Sequence, residues 1–233
     1  MIPKIFHQSS KYFTWEERRL ARRAQILMPD WAYHAWTDED NLALVEKLCP
    51  NHVGKYMSFP SGGCKVDIAR YLYMYQYGGV YFDTDFYFFR PINENLRSQC
   101  CILGIEVEDS PEFEGGPKLG NAFIGSRPGL ELWPELVNSI FVRFRKDEVY
   151  PYGYLSGPQA LTAFLRDHKL YEQNVTLLPP NALYPKLIKF NLTGARDPET
   201  IGVHLCWGTW WTDKTLPHRI KNRTRRLLTG VLA

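Results

Sequence analysis

Two aspartates, Asp83 and Asp85, follow the short apolar segment Val80 to Phe82, which itself begins at a glycine pair, Gly78-Gly79. Because side chains alternate along a strand, the two carboxylates would lie on one face, roughly 6.6 Å apart along it. Carboxylate oxygens are the ligands that Mg²⁺ and Mn²⁺ prefer, and these ions keep open positions that a substrate diphosphate can fill. The pattern predicts a metal-dependent enzyme that acts on a nucleotide-activated substrate.

An Asp-x-Asp sequence is weak evidence by itself, because such pairs are frequent in loops that face water. The apolar segment in front of this pair strengthens the interpretation, since ligands of α/β proteins bind at the carboxyl ends of strands. A solvated turn after a core strand is the alternative interpretation.

The elements around this motif alternate between strands and helices. Residues 14–28, 37–48, 65–77, 130–144 and 156–165 have helical periodicity, and residues 2–7, 32–36, 80–82, 102–105 and 121–125 are typical of strands. The acidic, glycine-rich segment 106–120 has no periodicity and is predicted to be a long functional loop. This order predicts one α/β domain, in which Asp67 and Arg70 share a helical face. An ordinary surface ion pair is the first interpretation of those two residues.

Composition narrows the function classes. The 233 residues are 45% hydrophobic and 23% charged, as expected of one ordinary globular domain. A net charge of 28 − 25 = +3 argues against a nucleic-acid partner. Five cysteines without zinc-site spacing indicate reduced thiols, and with no apolar leader or bilayer-spanning run we expect a cytoplasmic protein.

The last segment, residues 219–233, combines a basic stretch with apolar residues and would form a basic amphipathic tail if helical. A solvated terminal helix is slightly favoured over the alternative, a peripheral contact with the inner face of the membrane.

Several separated segments together resemble the family 32 glycosyltransferases, whose sugar-binding region contains an Asp-x-Asp motif. In chain order they are Ile2 to Gln8, Pro29-Asp30, Trp36 to Asp38, Asp67 with Arg70, Gly78 to Asp85, Asn121, Ser156 to Pro158 and His204 to Trp210. This family includes fungal initiating mannosyltransferases, lipid-sugar transferases and bacterial capsule or lipooligosaccharide enzymes, and it is related to the catalytic domains of clostridial glucosylating toxins. The resemblance implies a GT-A fold over residues 1–233, a single nucleotide-binding domain with a central mixed sheet flanked by helices.

The resemblance also implies a reaction: transfer of a hexose from a nucleotide-sugar, with retention of configuration and with Mn²⁺ or Mg²⁺. The expected acceptor is a saccharide or a lipid-linked saccharide, as in the synthesis of surface polysaccharide such as capsule. One departure leaves the nucleotide open. Many members continue the His-Gln pair with an aromatic residue that holds the base, whereas Ser9 and Ser10 follow here. UDP is preferred, and GDP is the alternative.

Individual residues are assigned by the same resemblance. Asp85 and Asp83 would bind the metal together with His204, for which a buried structural histidine is the alternative. Asp67, Arg70 and Asn121 would hold the donor sugar and act in catalysis. The rest of the predicted donor site consists of Ile5, His7, Gln8, Tyr81, Gly157, Pro158, Thr209 and Trp210, with Asp83 shared between metal and donor.

Two other functions compete with this interpretation. Phosphatases of the haloacid dehalogenase type also place Asp-x-Asp after an apolar strand, but normally on the first strand. A catalytically inactive sugar-nucleotide-binding protein is the non-enzyme alternative, which the intact set of Asp67, Arg70, Asp83 and Asp85 argues against. For the acceptor, aromatic residues could provide platforms for sugar faces. They are Tyr150, Tyr152, Tyr154, Trp207, Trp210 and Trp211.

Overall fold

A computed structural model describes residues 1–151, 153–168, 174–185 and 198–207. The strands are β1 (Ile5–Ser9), β2 (Ala32–Trp36), β3 (Gly79–Phe82), β4 (Phe86–Phe88), β5 (Cys101–Val107), β6 (Lys118–Ser126), β7 (Val175–Leu178) and β8 (Gly202–His204). The helices are α1 (Trp15–Leu27), α2 (Asp38–Leu48), α3 (Val53–Met57), α4 (Gly62–Gln76), α5 (Glu94–Arg97), α6 (Leu132–Arg143), α7 (Pro158–Asp167) and α8 (Pro180–Leu183). Short 3₁₀ turns occupy Pro50–His52 and Pro111–Phe113.

Six of the strands form one mixed sheet in the order β2-β1-β3-β6-β5-β7. Strand β1 is parallel to β2 and β3, β6 is antiparallel to β3 and β5, and β7 is parallel to β5. Strands β4 and β8 form a separate antiparallel pair. The predicted α/β class with a central mixed sheet and flanking helices is therefore confirmed.

Local sequence signals set the starts of the first two helices. The Thr14 hydroxyl accepts a hydrogen bond from the Glu17 amide, and the Glu17 carboxylate accepts one from the Thr14 amide. Thr37 and Asp40 make the same reciprocal pair at the start of α2. Each pair satisfies two backbone donors that the first turn of a helix would leave unpaired.

Alternate residues of β3 face the two main cores. Tyr81 belongs to the core beneath α4 and α6, whereas Val80 and Phe82 belong to the core on the side of α1. Both faces of this central strand are thus buried, and its end is held rigidly. Among the residues that the structure describes, no helix combines the length and hydropathy needed to cross a bilayer.

Two predicted boundaries are corrected. Helix α4 begins at Gly62 rather than at Lys65, because the Ser61 hydroxyl caps it by accepting from the Cys64 amide at 3.2 Å. The predicted loop 106–120 is shorter, because β5 continues to Val107 and β6 already begins at Lys118. Register shifts between these two strands break the alternation that would have revealed them in the sequence.

The glycine pair joins α4 to β3 through a turn that other residues would strain. Gly78 and Gly79 have φ angles of 62° and 93°. A Cβ atom on Gly79 would lie 2.5 Å from the Ile5 carbonyl oxygen and 3.2 Å from His7 Nε2. The missing side chain therefore lets β3 approach β1 and begin directly after the helix.

We predict that Gly79→Ala lowers the free energy of unfolding by at least about 2 kcal/mol, because a positive φ and a backbone clash both oppose the new Cβ. The matched control is Gly54→Ala, since nothing lies within 4 Å of a Cβ there and Gly54 is helical. That substitution should leave stability unchanged or raise it by up to about 1 kcal/mol. Chemical denaturation measures both, and equal stability of the two variants would contradict the steric argument.

Candidate active site

One buried guanidinium joins three parts of the site. Arg70 on α4 has a side chain that is 4% exposed, and its Nη2 lies 3.3 Å from a carboxylate oxygen of both Asp67 and Asp83. Its Nη1 donates to the Asn121 carbonyl at 2.6 Å, and its guanidinium lies 4.4 Å from the centre of the Tyr81 ring. Burial alone would lower the pKa of Arg70, but these acidic neighbours raise it well above its usual value. The cation is thus fixed in place between the two carboxylates.

Asp67 is held by neutral donors as well. Asn121 donates to one of its oxygens at 2.8 Å and the Ser156 hydroxyl donates to the other at 2.9 Å. Tyr71 in turn donates to the Ser156 carbonyl at 2.8 Å. Burial raises the pKa of Asp67, although Arg70 opposes that shift. The first interpretation of Asp67 and Arg70 as a surface ion pair is therefore wrong.

The Asp-x-Asp motif lies in a turn between β3 and β4, which corrects the prediction that both aspartates share one strand face. The strand ends at Phe82, and the Phe86 amide closes the turn by donating to the Asp83 carbonyl at 3.0 Å. The middle residue of the turn, Thr84, donates its hydroxyl to Glu17 at 2.8 Å. The two carboxylates converge because the chain turns, not because side chains alternate.

His204 reaches this turn through the pairing of β8 with β4. Its Nε2 lies 3.1 Å from an oxygen of Asp85 and 3.6 Å from an oxygen of Asp83. The Trp207 amide donates to the other oxygen of Asp85 at 2.7 Å. Burial opposes charge on both partners, yet their attraction raises the pKa of His204 well above its usual value and lowers that of Asp85.

These three side chains fit a divalent cation. One ligand atom from each of Asp83, Asp85 and His204 lies within 4.8 Å of the other two. Two carboxylates with one imidazole suit a hard or intermediate divalent ion, and Mn²⁺ accepts this mixture more readily than Mg²⁺. The predicted metal ligands are thus brought together, and the choice of ion stays a prediction.

A cavity of 260 Å³ opens beside the turn. Its lining residues are Pro60, Ser61, Gly63, Cys64, Asp67, Arg70, Asp83, Asn121, Tyr150, Pro151, Gly153 and Leu155. The Nε of Arg70 is buried and has no hydrogen-bond partner among the described residues. This volume lies just below the usual range for drug-sized ligands, so the cavity suits a small polar molecule.

His7 and Gln8, two predicted donor-site residues, are built into the fold beneath the site. Trp36 donates to His7 Nδ1 at 3.1 Å, so the other ring nitrogen donates to the Gly78 carbonyl at 2.8 Å. Gln8 donates to the Asp83 carbonyl at 3.2 Å and accepts from a tyrosine hydroxyl. Neither residue lines the cavity. Gln8 supports the Asp-x-Asp turn and His7 supports the chain where α4 joins β3, so a direct contact of either residue with the donor stays a prediction.

The remaining predicted residues fall into two groups. Tyr81 donates to Asp83 at 2.8 Å, Ile5 packs beside Gly79, and Gly157 with Pro158 begins α7 next to Asp67. Thr209 and Trp210 lie outside the described residues, as do Tyr152, Trp211 and the tail 219–233. The predicted roles of all these residues, in donor binding, in acceptor binding for Tyr152 and Trp211, and in membrane contact for the tail, stay predictions.

Three contacts to the site were not predicted. Asp67 accepts a hydrogen bond from Ser156, Glu17 accepts one from Thr84 in the Asp-x-Asp turn, and Asp85 accepts one from the Trp207 amide. Ser156 and Trp207 lie in segments that carry the resemblance, but the prediction that Trp207 offers a platform to a sugar face is wrong, because its side chain is buried in the core. Glu17 lies three residues after Thr14, a spacing that indicates only a helix cap. No local pattern indicates these contacts, because each joins chain segments that are distant in sequence.

Comparisons with known proteins agree with this geometry. Residues 15–102 match the family described as "Glycosyltransferase sugar-binding region containing DXD motif". Over 86 residues the chain is 37% identical to inositol phosphoceramide mannosyltransferase 3 of Schizosaccharomyces pombe, covering 36% of this chain and 24% of that protein. Over 87 residues it is 32% identical to mannosyl phosphorylinositol ceramide synthase CSH1 of Saccharomyces cerevisiae, covering 36% and 23%. The chain thus spans about a quarter of the length of these relatives.

A solved structure supports the architecture. The PaToxG glycosyltransferase superposes with a TM-score of 0.50 at 16% identity, covering 73% of this chain and 71% of that one. At this identity the likeness concerns the fold alone, and it confirms the GT-A architecture. The resemblance to the Asp-x-Asp glycosyltransferases is confirmed for residues 15–102.

We predict that the stability of the protein depends on pH through His7, because burial lowers its pKa from 6.5 to about 4. Between these two values the unfolded chain binds a proton that the folded chain does not. The free energy of unfolding should therefore fall by about 3 kcal/mol on this account as pH drops from 6.5 to 4. Chemical denaturation between pH 6.5 and 4 should show a smaller fall in the free energy of unfolding for His7→Gln than for the unmodified chain. The control is His34→Gln, at an exposed neighbour of His7, and it should show the full fall. The same slope in all three proteins would refute this assignment.

We also predict that Asp85→Asn weakens Mn²⁺ binding at least about a hundredfold, since loss of even an outer-shell partner costs about 10–100-fold. Titration calorimetry measures the affinity, and Asp109→Asn is the control because Asp109 is exposed and outside the cluster. Unchanged Mn²⁺ affinity in Asp85→Asn, with normal circular dichroism, would place the ion elsewhere.

Proposed function

We propose that this protein is a metal-dependent, retaining hexosyltransferase that uses a nucleotide-sugar, preferably UDP-linked, and a saccharide or glycolipid acceptor. The observation that carries the proposal is the bridge made by Arg70. It joins Asp67, a residue suited to sugar hydroxyls, to Asp83 in the turn suited to a metal-bound diphosphate. A single rigid contact thus relates the position of the hexose to that of its leaving group.

The polar side chains of the cavity suit recognition of a hexose. Asp67 offers an acceptor, while the donors are the side chain of Asn121 and the Nε of Arg70, which has no acceptor within the described part of the chain. Charge-assisted hydrogen bonds to sugar hydroxyls are strong and directional, so these groups would fix the ring in one orientation. Their own mutual bonds hold them in place before a substrate arrives, which lowers the cost of ordering the site.

Cleavage of the donor leaves a diphosphate with additional negative charge. A divalent cation held by Asp83, Asp85 and His204 would stabilise that charge without a proton. The chain contributes the position of these ligands, because Glu17 bonds the middle of the turn and the Trp207 amide fixes Asp85. This arrangement favours departure of the diphosphate towards the turn, away from Asp67.

The acceptor would enter past residues 149–151 and 153–155. Tyr150 and Leu155 line the cavity, while their chain neighbours Val149 and Tyr154 are 98% and 44% exposed and would form its rim. An aromatic and apolar rim suits sugar faces or the lipid part of a glycolipid. The relatives named inositol phosphoceramide mannosyltransferases support a glycolipid acceptor and mannose as the hexose. Capsule synthesis, the other expectation, has no support of this kind.

The decisive experiment is a panel of UDP- and GDP-hexoses incubated with the purified chain and Mn²⁺. We expect slow hydrolysis of one donor to free hexose and nucleoside diphosphate, with loss of activity in chelator and recovery with Mn²⁺. Transfer to a glycolipid acceptor should be faster than hydrolysis. Release of inorganic phosphate from a phosphomonoester, with no donor cleaved, would support the phosphatase alternative instead.

With the cleaved donor, Asp67→Asn and Arg70→Lys should reduce turnover about a hundredfold, the scale of about 3 kcal/mol of lost transition-state contacts. Affinity for the nucleoside diphosphate with Mn²⁺ should change little, because both residues would contact the hexose. Asp30→Ala is the control, since it removes an exposed ion pair with Lys4. Turnover and calorimetric affinity are compared after circular dichroism confirms folding. Normal turnover in both site variants would mean that the pair is only structural.

A further inference from the structure

The outward side of α1 has an unusual composition for a solvated helix surface. We define the α1 face as Tyr12, Trp15, Arg18, Arg19, Arg22 and Ile26. The helical members recur at steps of three and four residues, so they lie along one side of the helix. The opposite side packs inward through residues such as Leu20 and Ala24. The α1 face is thus a stripe in which three arginines are flanked by Tyr12 and Trp15 at one end and by Ile26 at the other.

The apolar members of this stripe are well exposed. Tyr12 is 77%, Trp15 61% and Ile26 68% exposed, and the three arginines are exposed as well. Single exposed apolar residues are ordinary, but three of them at the two ends of a block of cations on one face are characteristic of an interaction surface.

The charge of the α1 face is predominantly positive. The two acidic residues of the helix, Glu16 and Glu17, lie in its first turn, and Glu17 is buried with both oxygens engaged by Thr14 and Thr84. At the edge of the face, Arg23 is bound to the Phe88 carbonyl and adds charge beside it. A partner that fits this surface therefore carries negative charge and accepts apolar side chains between its charges.

We propose that the α1 face docks the protein on an anionic phospholipid bilayer. Arginines are attracted to acidic headgroups, and tryptophan and tyrosine favour the interfacial region between headgroups and acyl chains. An acidic peptide or nucleic acid would use the arginines but offers no apolar layer for Ile26. Of these partners, only the bilayer offers both negative charge for the arginines and an apolar layer for the exposed apolar side chains.

Docking in this way would leave the candidate active site on the side of α1 that faces away from the membrane. Glu17 points inward from the first turn of α1, and its carboxylate accepts a hydrogen bond from Thr84 at the centre of the Asp-x-Asp turn. The α1 face and the Asp-x-Asp turn are therefore separated by about the diameter of one helix, roughly 10 Å. The docking itself does not depend on the proposed function.

The test uses the full chain and vesicles of phosphatidylcholine alone or with an equal part of phosphatidylserine, in a co-sedimentation assay. The α1 variant is Arg18→Glu with Arg22→Glu. The control is Lys47→Glu with Lys146→Glu, which makes the same change in net charge at exposed lysines outside α1. Each basic residue near an anionic surface raises the affinity for that surface about fivefold, so the α1 variant should bind the mixed vesicles at least about twentyfold more weakly. The control should bind within about twofold of the unmodified chain.

A second variant separates a bilayer from other polyanions. Trp15→Ser with Ile26→Ser should weaken binding to the mixed vesicles severalfold and leave binding to heparin unchanged, because heparin has no apolar layer. The proposal would be overturned if the α1 variant and the lysine control lost vesicle binding equally. It would also be overturned if Trp15→Ser with Ile26→Ser lost heparin binding but kept vesicle binding. A third contrary result would be that the α1 variant still binds vesicles, whereas a chain without residues 219–233 does not. Hydrolysis of a soluble donor should be normal in all these variants, so failure of docking is distinguishable from failure of the proposed function.

Discussion

The buried guanidinium of Arg70 is the constraint on which the site depends. Removing an ion from water costs several kcal/mol even after relaxation, so Arg70 is tolerable in the interior only with close compensation. Two carboxylates and a backbone carbonyl supply it, and they come from α4, β6 and the Asp-x-Asp turn. Conversely, Asp67 and Asp83 would repel each other without the cation between them. The same interaction therefore stabilises three unfavourable groups and fixes their relative positions.

Further contacts hold the Asp-x-Asp turn from several elements. Gln8 on β1 donates a hydrogen bond to the Asp83 carbonyl, and Tyr81 on β3 donates one to the Asp83 carboxylate. Glu17 on α1 accepts a hydrogen bond from Thr84, the middle residue of the turn. On the far side, the segment after β8 bonds Asp85 through the Trp207 amide. A turn restrained in this way loses little further freedom on binding a ligand, which is what a preorganised charge-binding site requires.

The sequence predicted the parts of this structure that depend on neighbouring residues. The predicted helices 14–28 and 37–48 begin at the threonines that cap α1 and α2, and the predicted helix 65–77 stops before the positive φ angles of Gly78 and Gly79, because capping and positive φ are local effects. The strand-face geometry of Asp83 and Asp85 was wrong, because the end of β3 is set by where pairing with β6 stops. His204 was assigned through resemblance, but its contact with Asp85 depends on the pairing of β8 with β4. Long-range pairing of that kind leaves no periodicity to detect.

The region that matches known glycosyltransferases contains only part of the candidate site. Residues 15–102 include Asp67, Arg70 and both aspartates of the turn, all of them proposed to hold the donor or the metal. Asn121, Ser156 and His204 lie beyond it and are connected to that half by contacts in this chain alone. Residues 149–151 and 153–155, past which the acceptor is proposed to approach, also lie beyond the match. The sequence similarity therefore bears on the proposed donor side of the site and not on the proposed acceptor side. The helical part of the α1 face, Trp15 to Ile26, lies within the matched region as well.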